Sequence, residues 1–405
     1  MSGLKLPVSR AGIEKALWLA VVGGIVLLLI GLVIPYAKHV YSYVYGVTLF
    51  LPALLLIVVR PGSLRCIWQH RSTRWVVLLL AWSLVSLTWS TGNDAADWSG
   101  RCLCIFLFLY AWARVFDASE ERIYWLLFAC GAIMTTAAVV AFAVYFPQLL
   151  QGGRIQAFGK LDNTNDAAAA MSIVAVWMGT LPCRRAWTRI ARVAMLVVLL
   201  AFVCFTFSRG AWGALFVTAL VLLLCRREAV TRPRVWVPLA ALVVAGIVAV
   251  AVFMPELAER GWSYRPHIMR VNLDLFLAHP WIGVGQGTPV HFYIGDKFIW
   301  QAQNMFAQLA VQLGIPGLVL LLCIWLPLGW CGWRHRHEPL GRLLLGSWVF
   351  TTVQAQVELP YLINSPSVSW LCAWMPLAIS YAFARRRRAE SMPPASSEPD
   401  DGGVQ

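Results

Sequence analysis

Apolar runs long enough to cross a bilayer recur along this chain, and they restrict its fold more than any other feature. About 30 Å of hydrocarbon takes roughly 20 residues of helix. A backbone in lipid must satisfy its own polar groups, which leaves helices or closed barrels. The runs lie near residues 16–36, 42–59, 75–92, 101–116, 123–146, 166–182, 190–207, 211–225, 235–254, 303–329, 343–362 and 366–384. They are too long for barrel strands and predict an all-α integral membrane protein of about twelve transmembrane helices. A composition of 60% hydrophobic against 13% charged residues excludes an ordinary soluble domain.

Basic residues set the orientation, because Lys and Arg near span ends stay on the cytoplasmic side. Arg60, Arg65, Arg71 and Arg74 share one loop, and Arg184, Arg185, Arg189 and Arg192 another. Arg226, Arg227, Arg232 and Arg234 mark a third, and Arg334, Arg336 and Arg342 a fourth. Twelve spans place all four on the side of the terminal run Arg385 to Arg388, so both termini are expected in the cytoplasm. The net charge of +14 is dealt out loop by loop. It therefore reads as a topology signal and not as a nucleic-acid patch. The first apolar segment lacks a small-residue cleavage site and reads as a retained span. None of the ten cysteines lies in a long external loop, so neither disulfides nor a metal site is expected.

The resulting organisation is residues 1–254 as nine spans, 255–302 as one large external loop, 303–384 as three more spans, and 385–405 as a disordered cytoplasmic tail rich in Pro, Ser, Asp and Gly. The large loop holds Trp262, Tyr264, Trp281, Phe292, Tyr293, Phe298 and Trp300, too aromatic for disorder, and is expected to fold over the outer face. A helix is predicted from Ile268 to Ala278, halted before Pro280. The following GVGQG, with Gly283, Gly285 and Gly287, has no strand before it and no helix start after it. It reads as a tight turn in preference to a phosphate loop.

Five arginines break the positive-inside bias: Arg154, Arg209, Arg260, Arg265 and Arg270 fall on the outer side. One alone could snorkel to lipid headgroups, but several on one face suggest an anion site, since the guanidinium fork suits phosphate oxygens. At the lipid boundary, such a site fits a diphosphate that carries a lipid tail. The run QNMFAQLAVQLGIPG then enters a span with amides at Gln303, Asn304, Gln308 and Gln312 near one helix face. That face either lines a hydrated cavity or bonds neighbouring helices. Gly314, Pro316 and Gly317 are expected to bend the helix or admit a close neighbour.

The order of RIQAFG…NTN, FSRG, AHPWIGVGQG and QNMFAQLAVQLGIPG around one outer loop resembles the O-antigen ligase family, with its relatives the O-antigen polymerases and bacterial protein O-oligosaccharyltransferases. The resemblance spans most of the helices. It implies a GT-C-type glycosyltransferase of the Gram-negative inner membrane, active on the periplasmic face, that needs neither metal ion nor other cofactor. Its implied partners are an undecaprenyl-diphosphate-linked glycan as donor, a lipid A-core as acceptor, and inner-membrane lipids. On the matching positions, Arg209 and one of Arg265 or Arg270 would hold the donor diphosphate, Arg154 is a further expected diphosphate-binding residue, and Gln303, Asn304 and Arg209 are the expected catalytic positions.

One position departs from the family pattern. Members carry His-Asn ahead of the hydrophobic stretch, and that histidine is the favoured group for activating the acceptor hydroxyl; this chain has Gln303 before Asn304. An amide does not titrate near neutrality and cannot serve as a general base. Three accounts stay open: a chain substituted at its catalytic position, another base such as His291, His267 or Asp296, or a reaction driven chiefly by leaving-group stabilisation. Glu358, near an outer span end, is a further candidate for acceptor binding or base, although an interhelical hydrogen bond is the more ordinary role for such a residue. His335 and His337 lie on the cytoplasmic side. An O-antigen polymerase is the alternative within the class. A polytopic transporter is the alternative outside it, disfavoured because the spans are almost free of ionisable residues.

Overall fold

A computed structural model of the chain describes residues 10–35, 38–92, 94–116, 120–225, 264–294, 297–299, 302–359 and 361–391. The span expected at 235–254, together with Arg260, Trp262, Asp296 and Trp300, lies outside the described residues.

The described residues are helical almost throughout. Helices α1 (Arg10–Gly31), α2 (Lys38–Tyr45), α3 (Leu51–Val59), α4 (Arg65–Trp68), α5 (Arg71–Ser86), α6 (Ala95–Phe116), α7 (Glu120–Leu150), α8 (Thr164–Thr180), α9 (Ala186–Phe205) and α10 (Arg209–Leu224) precede the large loop. Helix α11 (Arg265–Ala278) lies within it, and α12 (Met305–Arg334), α13 (Pro339–Gln354) and α14 (Met375–Ser391) follow. Five segments are long and apolar enough to cross a membrane: Arg10–Gly31, Val40–Val59, Glu120–Leu150, Ala186–Phe205 and Met305–Arg334. Two shorter apolar helices, Arg209–Leu224 and Trp370–Phe383, join them. Side chains such as Val58, Leu150, Ile190 and Val197 stand exposed, as a lipid-facing surface requires.

The all-helical class holds, with one local addition: Phe292–Ile294 and Lys297–Ile299 form a short antiparallel hairpin in the large loop, with Phe292 opposite Ile299. Two expectations need correction. The span expected at 343–362 ends at Gln354, so Glu358 sits in a turn beyond the helix. The last helix continues to Ser391, so the tail expected from residue 385 begins inside it.

Helix α8 is the centre of the bundle, with all but a few residues of its length buried. Its run Ala167 to Ala170, fully buried, lets neighbouring helices approach closely, which is how helices associate where lipid removes the hydrophobic drive. A hydrogen bond from Trp177 Nε1 to Ser347 Oγ (3.0 Å) ties α8 to α13.

Helix α12 breaks at Gly314, whose φ of 65° and ψ of −163° are far from helical. The break frees backbone groups that cannot be left unpaired inside a membrane protein. Val311 O accepts from Val284 N (2.9 Å) and Gln312 O from Gly285 N (2.9 Å), while Ile315 N donates to Pro280 O (2.8 Å). Pro316 has no N–H to offer Gln312 O, so that carbonyl would be open even in a straight helix. Leu313 O accepts from Trp82 Nε1 on α5 (2.9 Å). The GVGQG segment is thus a tight turn, as its glycines suggested, and it plugs the kink. Ser86 Oγ accepts from Gln286 N (3.0 Å), fastening the turn to α5.

Gly314 permits this docking twice over. Its φ is left-handed, and a Cβ there would stand 2.7 Å from the carbonyl carbon and oxygen of Trp281. Gly314→Ala is expected to destabilise the protein by about 1–3 kcal/mol, read as a lower unfolding temperature in detergent. Gly23→Ala, with nothing within 4 Å of the new Cβ, serves as control and should leave that temperature unchanged or slightly raised.

Candidate active site

Helices α8, α10 and α12 begin, and α13 ends, at the end of the bundle away from the arginine-rich loops. The turn after α13, Ala355 to Leu359, touches the starts of all three and of α11. Ala355 O accepts from Met305 N at the first turn of α12 (2.9 Å). Gln356 accepts twice from Asn304 Nδ2, through its backbone oxygen (3.2 Å) and its side-chain Oε1 (3.1 Å). Val357 lies so close to Gly210 that a Cβ on the glycine would come within 2.7 Å of its Cγ2. Glu358 Oε2 accepts from Asn165 Nδ2 at the start of α8 (3.4 Å) and pairs with Arg265 Nη2 at the start of α11 (3.6 Å).

Asn304 owes its place to the helix it begins. Its Oδ1 caps α12 by accepting from Phe306 N (2.9 Å) and Ala307 N (3.0 Å), the usual way to satisfy first-turn donors. Gln308 Oε1 accepts from Ala302 N (3.0 Å) and so pins the approach from the other side. The amide stripe is therefore largely structural at these two positions. Gln312 lines a small cavity of about 190 Å³ with Trp98, Thr288, His291 and Tyr361. Gln303 itself is forced into left-handed geometry, φ 51°.

That strain has companions. The non-glycine residues with positive φ among the described residues are Phe207, Tyr264, Gln303 and Leu359. Each lies next to, or two positions from, a polar residue of this cluster: Arg209, Arg265, Asn304 and Glu358. Left-handed backbone costs roughly 1–3 kcal/mol per residue and survives where surroundings over-determine it, chiefly at functional sites.

Arg154 and Arg265 converge on the carboxylate of Glu358 from different segments. Arg154 donates through Nε to Thr206 O (2.6 Å) and through Nη2 to Asn165 Oδ1 (2.8 Å), so it orients the amide that meets Glu358. Arg265 Nε is buried with no hydrogen-bond partner among the described residues. So is Gln354 Oε1, which lies near Gly210. A buried unpaired donor and acceptor beside one turn are costly unless something else occupies them. Arg209 is exposed at the first position of α10, next to the Gly210 that packs on Val357.

Burial pushes the Glu358 carboxyl up to about 7, held back by Arg265 and Arg154 and by the Asn165 hydrogen bond, and raised further by the neighbouring Asp166. A carboxylate in that range shares protons with neutral solvent, which an ordinary glutamate does not.

The other candidate residues lie apart. Arg270 and His267 are exposed along α11, and neither makes a hydrogen bond or ion pair to the cluster among the described residues. His291 is exposed at the rim of the small cavity. A larger cavity of about 570 Å³ opens at the opposite end of the bundle, between Glu120, Trp125, Arg184 and Pro339, away from Arg154, Arg209 and Arg265. Sequence reasoning gave Glu358 a minor role because it looked like the end of a span. The clue available in the sequence was its acid between Val357 and the Leu359-Pro360 step, where a helix has little reason to continue.

Residues 193–322 match the family described as O-antigen ligase. That stretch contains Arg209, Arg265, Gln303 and Asn304. An O-antigen ligase of Pseudomonas aeruginosa strain PAO1 is 26% identical over 370 residues, which is 87% of this chain and 89% of the relative. The likeness thus extends well past the matched stretch on both sides. With the arginine motifs, the kinked helix and the turn that joins them in one order along one bundle, the chain is similar to O-antigen ligases over most of its length.

Proposed function

We propose that the chain transfers a glycan from undecaprenyl diphosphate to lipid A-core, acting as an O-antigen ligase of lipopolysaccharide biosynthesis. In this reading the protein is a GT-C-type enzyme of twelve spans in the inner membrane. Residues 255–302 face the periplasm, and the region after residue 385 faces the cytoplasm. The observation that carries it is the meeting of Arg154, Arg265 and Glu358 at one turn outside the spans, with Arg209 adjoining.

Transfer of a sugar from a diphosphate leaves negative charge on the departing oxygens. Guanidinium groups fixed in advance at a water-poor boundary stabilise that charge with little reorganisation, commonly the largest catalytic contribution. Arg265, with an unpartnered buried Nε, and Arg209 are assigned to the diphosphate. Arg154 holds Asn165 and adds positive potential, and Arg270 extends the positive surface one helical turn further out. Asn304 positions the turn that carries Glu358. Because cationic side chains provide the charge, the reaction is assigned to proceed without a metal ion. The lipid tail of the donor would lie along the exposed apolar row Met269, Leu273 and Leu277 of α11.

Deleting the gene tests the assignment of acceptor. Full-length glycan chains accumulating on undecaprenyl diphosphate, with bare lipid A-core at the surface, are expected. A single repeat unit on core would instead indicate a polymerase. In proteoliposomes the purified protein should transfer glycan without an ion gradient and in the presence of EDTA; loss of transfer with EDTA would refute metal independence.

Arg265→Gln and Arg209→Gln are each expected to lower kcat by about 10²–10³-fold while leaving the unfolding temperature within a degree or two. Arg270→Gln, exposed and outside the cluster, should cost less than about tenfold. Equal losses at Arg265 and Arg270 would argue against the placement of the diphosphate.

A further inference from the structure

We infer that Glu358 takes the proton from the acceptor hydroxyl in this chain, replacing the histidine that the family carries where this sequence has Gln303. The inference rests on the ligase reading and names the base for the same site.

The loops that carry positions 303 and 358 are stapled together. Asn304 Nδ2 bonds both oxygens of Gln356, and Met305 N bonds Ala355 O. A group at Glu358 is therefore held beside the loop from which a histidine at 303 would project. Left-handed backbone at Gln303 (φ 51°) and at Leu359 (φ 61°), the residue after Glu358, marks both loops as held in strained geometry that relaxed loops would not keep.

The carboxylate is positioned without being locked. Both of its contacts are made by Oε2, and at 3.4 and 3.6 Å they are longer than the roughly 2.7–2.9 Å of a tight charge-assisted bond. Oε1 makes no hydrogen bond among the described residues. Diphosphate oxygens can draw Arg265 away, leaving the carboxylate to the incoming hydroxyl. The other titratable candidates do not meet this turn: His267 and His291 are exposed, and Asp296 lies outside the described residues.

The step balances within these groups. The acceptor oxygen bonds to the anomeric carbon as the bond from that carbon to the diphosphate oxygen breaks. The leaving diphosphate keeps the electron pair between guanidinium groups. The hydroxyl proton passes to Glu358 and then to water once products depart. Charged and titratable neighbours of the carboxylate are Arg265 from α11, Arg154 from the segment before α8, and Asp166 with the amide of Asn165 from α8; Arg209 stands at the adjoining start of α10. A base whose proton affinity lies near neutrality is well matched to this task.

The test compares wild type, Glu358→Gln, Glu358→Asp and the double variant Glu358→Gln with Gln303→His in proteoliposomes with undecaprenyl-diphosphate-linked glycan and lipid A-core. Both kcat and donor binding are measured from pH 5.5 to 9. Wild-type kcat should rise with pH through about 7 and then level, since the deprotonated form is the active one. Glu358→Gln should lose that rising limb and about 10²–10⁴-fold of kcat, with donor binding largely kept. Adding histidine at 303 should restore at least about tenfold of the lost rate and return a rising limb. Glu358→Asp, with the carboxylate retracted, should retain the limb at reduced rate.

Three outcomes overturn the inference. Full activity in Glu358→Gln removes the base role. Equal loss of donor binding and kcat with no rescue by Gln303→His makes Glu358 a structural partner of Arg265. Absence of transfer by wild type refutes the ligase reading and this inference with it, whereas an active wild type with an active Glu358→Gln refutes only the inference.

Discussion

The docking of the large loop into the break of α12 is the interaction on which the remaining geometry depends. A membrane helix normally consumes every backbone donor and acceptor within itself. At Gly314 that rule is suspended, and the carbonyls of Val311, Gln312 and Leu313 are handed to Val284, Gly285 and Trp82. In exchange Pro280 receives the N–H of Ile315. The loop cannot leave without exposing the carbonyls of Val311 and Gln312 and the N–H of Ile315 together, so an otherwise peripheral segment is tied to the helices around it. Helix α11 ends two residues before Pro280, and Arg265 opens that helix. Its guanidinium is thereby placed relative to α12 through a short, rigid path.

The second constraint is electrostatic, and it opposes the first in sign. Bringing Arg154, Arg265 and Glu358 together at a partly dry boundary is expensive, and a buried ion pair is poor evidence of net stability. Here the ion pair is also long, and a buried donor and acceptor have no hydrogen-bond partner among the described residues. Four strained non-glycine residues surround the cluster. A sequence shaped only for stability would have relaxed these features. Their concentration at one turn, in a bundle whose centre is packed from alanine and closely approaching helices, is the pattern expected when fold stability elsewhere supports a site prepared for a charged ligand.

Much of this was legible in the amino-acid sequence for a simple reason: hydropathy and arginine placement report on a solvent boundary, and that boundary dominates the fold. The helices, the end before Pro280, the glycine turn and the kink at Gly314 all follow from local rules about lipid, proline and left-handed backbone. The amides of α12 were harder. Periodicity places Gln303, Asn304, Gln308 and Gln312 near one face, yet it cannot distinguish a cavity wall from a cap, and Asn304 and Gln308 turn out to bond backbone. Glu358 was harder still. Its importance comes from Asn165 and Arg265, separated from it by 193 residues and 93 residues of chain, and no local pattern links them.

The position of Glu358 also bears on how such a site can tolerate Gln303. A base supplied by one loop is lost with a single substitution. A site in which two loops are stapled side by side, as Asn304 staples 303 to 356, offers two places from which a proton acceptor can reach one hydroxyl. A carboxylate at the second place acts as a base near neutrality only if burial raises its proton affinity faster than the neighbouring cations lower it. Too many arginines in contact would leave it a permanent anion, and too few would leave the diphosphate unheld. Long contacts to Arg265 and an indirect one to Arg154 through Asn165 satisfy both demands. In the proposed reading the cations are then free to meet a phosphate while leaving the glutamate titratable.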